Sequence, residues 1–192
     1  MPLSSPIPDR GTSWDLLNRY TANPSLIKHA LAVEAVMRAL AERYGEDPDL
    51  FGTVGLLHDF DYEAFPNIGE HTVEGAKILA EADFPPIIIE AISSHVTENG
   101  IARDTVLKRA IYAADELTGF VVAVTLVRPS KSLRDVAPRS VIKKLKDKSF
   151  AKGVNRDDVY QGAEGLEIPL DALIQFVVDA LAPHAESLGL NA

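Results

Sequence analysis

The chain has 192 residues, 46% of them hydrophobic and 24% charged, and a net charge of −9, which suits one well-packed globular domain and argues against a general nucleic-acid binder. Cysteine is absent, which excludes disulfides and thiolate chemistry and leaves nitrogen and oxygen to bind any metal. No apolar run approaches the ~20 residues of a bilayer span, and MPLSSPIPDR lacks the basic start and apolar core of a secretion signal, so the expectation is a cytoplasmic protein with no membrane partner.

In chain order the pattern is helical almost throughout. Thr12 or Ser13 can cap a short helix through Trp14–Tyr20, which Asn23-Pro24 ends. Ser25 then caps a long helix, Leu26–Tyr44, stopped by Gly45. Asp47-Pro48 is a cap followed by proline at the first helical position, and opens a helix carrying Phe51–Asp59. A loop, DYEAFPNIGE, leads into a helix from about Glu70 to Ala82, and Pro85-Pro86 opens another to about His95. Asp104 caps the longest helix, Thr105–Val127, which Arg128-Pro129 ends. A polar connection follows, then a basic helix from Pro138 to about Lys148, a short helix after Asn155, and a last amphipathic helix from Pro169 to about Leu188. No alternating run is long enough for a strand. The expected fold is all-α: one domain over 1–192, with a core at 25–127 and a helical appendage at 128–192.

Polar residues interrupt the apolar faces of these helices. His29 lies on the stripe Leu26, Val33, Val36 and Leu40; His58 lies with Phe51, Val54 and Gly55; Asp115 lies with Ile111, Tyr112, Thr118 and Val122. A lone histidine on such a face is usually a core residue with a satisfied hydrogen bond. Three such residues from three helices would each need a private partner, whereas one divalent cation would satisfy all of them. His58 and Asp59 differ by about 100° around a helix, so both can flank one ion where the helix frays. His71 opens one helix and His95 closes another, within reach of a cleft; His71 as a first-turn surface residue is the alternative.

This set, namely His29, the dipeptide His58-Asp59, HTVEGA from His71, His95 in AISSHVTENG and Asp115 in YAADELTG, resembles the HD-domain superfamily of metal-dependent phosphohydrolases, of the HDIG type. The resemblance covers residues 25–125. It implies a helical bundle around a buried site with one or two divalent ions (Mn, Fe, Co, Ni, Mg or Zn). By it, His29, His58, Asp59 and Asp115 hold the first ion, His71 and His95 serve a second, and Asp59 bridges the two. HDFDYE lacks the lysine and GYP-type motif of relatives that cleave cyclic dinucleotides, which argues against that substrate.

The expected reaction is hydrolysis of a small phosphate ester or nucleotide-type substrate, with Asp59 orienting the attacking water and Asp61 or Glu63 relaying a proton. The plainer reading of Asp61 and Glu63 is that they cap the loop before Pro66. A phosphate also needs positive charge. Residues 128–156 carry ten basic residues against Asp135 and Asp147, a segment of +8 that leaves −17 for the remainder. Arg128 and Lys131, nearest the end of the Asp115 helix, are the expected phosphate-binding pair, with Lys77, Lys108 and Arg109 in reserve. The plainer reading of Lys143–Lys148 is a solvated helix face. Two other classes share the same fold: a di-iron oxygenase, and a non-catalytic signalling module, which would be expected to lack ligands that this chain retains.

Overall fold

The computed structural model describes residues 6–67 and 69–191; the MPLSS start of MPLSSPIPDR, Ile68 of the loop before His71 and Ala192 lie outside the described residues. Helices α1 (Arg10–Tyr20), α2 (Pro24–Tyr44), α3 (Pro48–Leu57), α4 (Val73–Glu81), α5 (Pro86–Ser94) and α6 (Val106–Leu126) build the first two-thirds. They are followed by α7 (Pro138–Leu145), α8 (Arg156–Gly165), α9 (Leu170–Leu181) and α10 (Ala185–Leu188). The described residues form no strand, and the fold is all-α.

Helix starts follow local capping chemistry, one or more residues earlier than the sequence pattern suggests in two cases. Asp9, not Thr12, caps α1 by accepting from the Thr12 N–H at 2.8 Å. Asn23, not Ser25, caps α2 by accepting from the Ser25 N–H at 2.9 Å, with Pro24 in the first turn. Thr105, one residue after Asp104, caps α6. Helix α4 begins at Val73 instead of Glu70 because residues 69–72 are spent in a turn. The last helix breaks at Ala182–His184, where Pro183 removes a backbone donor.

Helix α2 packs along α3 and against α6, and α6 also packs against α5, α8 and α9. Phe51, Leu57, Phe60, Leu117 and Phe120 are all buried in one apolar cluster that also takes in Val141, Leu145, Val159, Ile174 and Leu181 from beyond residue 128. The helices after residue 128 therefore share the hydrophobic core of the first six. Gly162 makes the α6–α8 seat possible: a Cβ there would lie 2.7 Å from Ala113 Cα. On the far side, the buried carboxylate of Glu34 is clamped by Arg10 (2.7 and 2.9 Å) and Arg38 (3.1 Å), which ties α1 to α2.

A candidate metal centre

The site begins where α3 stops. The helix ends at Leu57, and residues 58–64 continue as turns pinned by the Thr21 hydroxyl, which donates to Phe60 O at 2.9 Å, and by Phe60, buried edge-on against Tyr20. This bend lets His58 point into the core, fully buried, while its neighbour Asp59 stays partly open to a cleft. His29 comes from α2 and Asp115 from α6. His29 Nε2 lies 3.1 Å from His58 Nε2 and 3.0 Å from Asp115 Oδ1; His58 Nε2 lies 3.3 Å from Asp115 Oδ1 and 3.4 Å from Asp59 Oδ2. The other oxygen of the same carboxylate, Asp59 Oδ1, lies 3.1 Å from His71 Nε2 and 3.4 Å from His95 Nε2, which are themselves 3.4 Å apart. Two donor groups thus share Asp59: His29, His58, Asp59 and Asp115, and Asp59, His71 and His95.

The ring orientations decide what these groups are suited to hold. The Nδ1 of His58 sits 2.8 Å from Gly55 O, that of His95 2.6 Å from Ile92 O, and that of His71 2.9 Å from Asp61 Oδ1. Each acceptor fixes the proton on Nδ1 and leaves the Nε2 lone pair facing inward, the arrangement that orients metal-ligating imidazoles. The Nε2 atoms of His71 and His95 face each other 3.4 Å apart, a pairing suited to a shared cation. Ligand atoms about 2.0–2.2 Å from one ion lie about 3.0 Å apart at right angles and about 3.4 Å apart at tetrahedral angles. Separations of 3.0–3.4 Å in both groups match those edges, while His29 Nε2 and Asp59 Oδ2, 3.9 Å apart, span a wider angle. The residues therefore fit one divalent ion at each group, with nitrogen and carboxylate oxygen as donors.

The electrostatics agree. Burial alone would push His58 down, but the Asp59 and Asp115 carboxylates outweigh it and hold the imidazole well above its ordinary value. Burial would likewise lower His71, yet its hydrogen bonds to Asp59 and Asp61 outweigh that effect and carry it up to about 9. Burial would lift Asp59, and the facing His58, His71 and His95 hold it well below the usual carboxylate range instead; Asp115 is lowered in the same way by His58 and His29. Without a cation, protons on the imidazoles balance the two carboxylates.

Asp61 and Glu63 are placed differently from the catalytic roles expected of them. Asp61 is buried, and its Oδ2 accepts from the backbone N–H of Thr72 (2.8 Å) and Gly75 (3.0 Å) while Oδ1 holds His71. It thereby caps α4 from a distance and aims a histidine of the second donor group. It holds Thr72 in a left-handed backbone conformation (φ 61°), costly for a β-branched residue, with help from Asn99, which donates to the Thr72 hydroxyl at 2.6 Å. Gly75 has to be glycine here, since a Cβ would sit 2.7 Å from Asp61 Oδ2. Glu63 turns away and accepts from the N–H groups of Ala22 and Asn23 at 2.9 Å, bracing the start of α2. Neither lines the cleft.

The expected phosphate-binding cations are also elsewhere. Arg128 donates to the Ser140 hydroxyl, joining the end of α6 to α7, and Lys131 is exposed on the turn beyond it. Lys77 pairs with Glu74, Lys108 with Glu90 and Asp104, and Arg109 donates to main-chain carbonyls. On α7, Val141 and Leu145 are buried while Arg139, Lys143 and Lys146 are exposed, so this helix presents a solvated basic face. Sequence reasoning missed the other wall of the cleft: Val154, Asn155 and Asp158, brought over Asp115 by α8 and the loop before it. The cleft, of about 590 Å³, opens directly onto His29, Asp59, His71, His95 and Asp115. Glu116 also lines it; burial and the nearby Asp115 and Asp158 carboxylates push it up to about 7.

The model of the HD domain matches residues 26–119. This segment is an HD domain. HD domains form a family of metal-dependent phosphohydrolases, and every candidate ligand lies inside the matched stretch. Among curated proteins, the chain is 28% identical over 121 residues to a tRNA (cytidine(56)-2'-O)-methyltransferase of Thermoplasma volcanium, a match covering 61% of this chain and 35% of that protein. It is 26% identical over 106 residues to Ribonuclease Y of Opitutus terrae and 30% identical over 101 residues to Ribonuclease Y of Enterococcus faecalis, each match covering 52% of this chain and 19% of the relative. The chain thus spans about a third or less of the length of these relatives. No solved structure gives a significant match. Among the described residues, no helix is long and apolar enough to cross a membrane.

Proposed function

We propose that the protein is a phosphohydrolase that cleaves a small phosphate ester at a pair of divalent ions. The observation that carries this reading is the sharing of Asp59 between two histidine-rich donor groups at the floor of an open cleft. Divalent ions held there would lower the pKa of a water and polarise the phosphoryl oxygens. The chain's own part is positioning. Asp59 offers one oxygen to each group, Gly55 O, Ile92 O and Asp61 keep the imidazoles turned inward, and the cleft admits the ester to that floor. In the net reaction the oxygen of one water joins phosphorus and the ester P–O bond breaks. The alcohol leaves with the ester oxygen and one proton of the water, and the phosphate keeps the water oxygen.

Ribonuclease Y is by name a nuclease, but an RNA strand is a poor match for this cleft. Polyanion binding rests on lysine and arginine contacts to phosphates, and the described cleft lining has neither, while Glu98 and Asp158 contribute negative charge. The test is metal analysis of the purified protein followed by hydrolysis of a generic aryl phosphate, with Asp59→Ala as control. Metal-dependent release of phosphate that the variant loses supports the reading. Two bound irons with oxygen uptake and no phosphate release would replace it with a di-iron oxygenase.

A further inference from the structure

The floor and the wall of the cleft carry opposite charge preferences once the floor is loaded. Two divalent ions would outweigh Asp59 and Asp115, giving a cationic floor suited to a phosphate. The wall is lined by carboxyl groups: Glu116 and Asp158 face the cleft from α6 and α8, and Glu98 stands at its edge. No described lysine or arginine lines the cleft to neutralise them. The cation packed against this wall, Arg103, is committed behind it: its guanidinium stacks 3.4 Å from the Tyr112 ring centroid and donates to Ser94 O, His95 O and Thr97 Oγ1. Tyr112 in turn donates to Asp158 Oδ1 at 2.8 Å, which holds that carboxylate in place.

We propose that the cleft selects a small phosphate monoester whose alcohol part bears an ammonium group, with the phosphate on the metal floor and the ammonium received by Glu116 and Asp158. This specificity rests on the phosphohydrolase reading of the floor. A second phosphate in place of the ammonium would meet carboxylates, so nucleoside di- and triphosphates are rejected by the same wall. Specificity comes from both parts of the chain: Glu116 lies within the matched HD segment, whereas Asp158 lies on α8, outside it.

The experiment compares 2-aminoethyl phosphate, 2-hydroxyethyl phosphate and adenosine triphosphate as substrates of the Mn(II)-loaded protein. In parallel, calorimetry measures the binding of 3-aminopropylphosphonate and its uncharged counterpart butylphosphonate, which cannot be hydrolysed. The expected result is a preference of about tenfold or more for the ammonium-bearing member of each pair, since a charge-assisted contact contributes on that scale. That ratio should fall toward one in Glu116→Gln and in Asp158→Asn; the second variant retains an acceptor for Tyr112, so it reads the ratio even if the first is poorly folded. Charge-selective phosphonate binding without turnover of any ester would sink the phosphohydrolase reading while leaving the cleft's preference intact. Equal binding of the two phosphonates, or a preference for adenosine triphosphate, overturns the proposal.

Discussion

Replacing Asp61 with asparagine changes one atom of a buried carboxylate and should disable half of the metal centre. The amide oxygen can take the place of Oδ2 and keep the hydrogen bonds from Thr72 and Gly75, at 2.8 and 3.0 Å in the native protein. The amide NH2 then faces His71 Nδ1 across the 2.9 Å gap, where a carboxylate oxygen accepts a proton in the native protein. Two donors cannot face each other, so His71 shifts its proton to Nε2, and the lone pair aimed at Asp59 and His95 is lost. Loss of such an orienting partner typically costs about 10–100-fold in metal affinity. Asp61→Ala should do more damage to the fold, because it orphans two buried N–H groups at about 1–3 kcal/mol each. Titration of the metal-free protein with Mn(II) is the assay, read as stoichiometry and affinity alongside a thermal melt. The native protein should take two ions. Asp61→Asn should keep the first ion, weaken the second by that factor and melt close to the native temperature. Two ions bound with native affinity in Asp61→Asn would refute the reasoning, and Asp61 would be no more than a cap for α4.

Four further outcomes follow from the same geometry. Asp59→Ala should lose most metal and all hydrolysis, His58→Ala should empty the first group, and His71→Ala or His95→Ala should lower the stoichiometry from two toward one, all measurable by elemental analysis. Gly75→Ala should act like a mild form of the Asp61 change, lowering the melting temperature and second-ion affinity together, because its methyl group would displace the Asp61 carboxylate. Arg156 holds the loop before α8 through the carbonyls of Asp147, Phe150, Ala151 and Val154, so Arg156→Ala should raise KM by loosening the Val154–Asp158 wall while metal content stays intact. Because His71 is raised to about 9 in the metal-free protein, its ion pairs stabilise that form fully below the ordinary histidine value near 6.5 and are lost as pH rises through about 9. A metal must displace this proton, so apparent affinity at the second group should increase across the same window, with proton release visible in calorimetry.

Much of the site was legible in the sequence, because periodicity places residues on helix faces without knowledge of the fold. His29, His58 and Asp115 interrupt apolar stripes that had to be buried, and an interior polar group needs a partner; the structure brings them together with Asp59, His71 and His95. Local chemistry also set the stops at Gly45 and Pro129 and the cap at Asp47. Only the tertiary structure decided what Asp61 and Glu63 do, since both follow the dipeptide by a few residues and neither type nor spacing shows which N–H groups lie opposite. Asp61 meets Thr72 and Gly75, and Glu63 meets Ala22 and Asn23, forty or so residues away. The same limit misplaced the charge. Ten basic residues in one segment suggested a phosphate clamp near Arg128, but the direction of a chain after a helix end is fixed by packing, not by sequence proximity. Helix α8, seated on Ala113 through Gly162, delivers Asp158 to the cleft instead and leaves Lys131 on the surface.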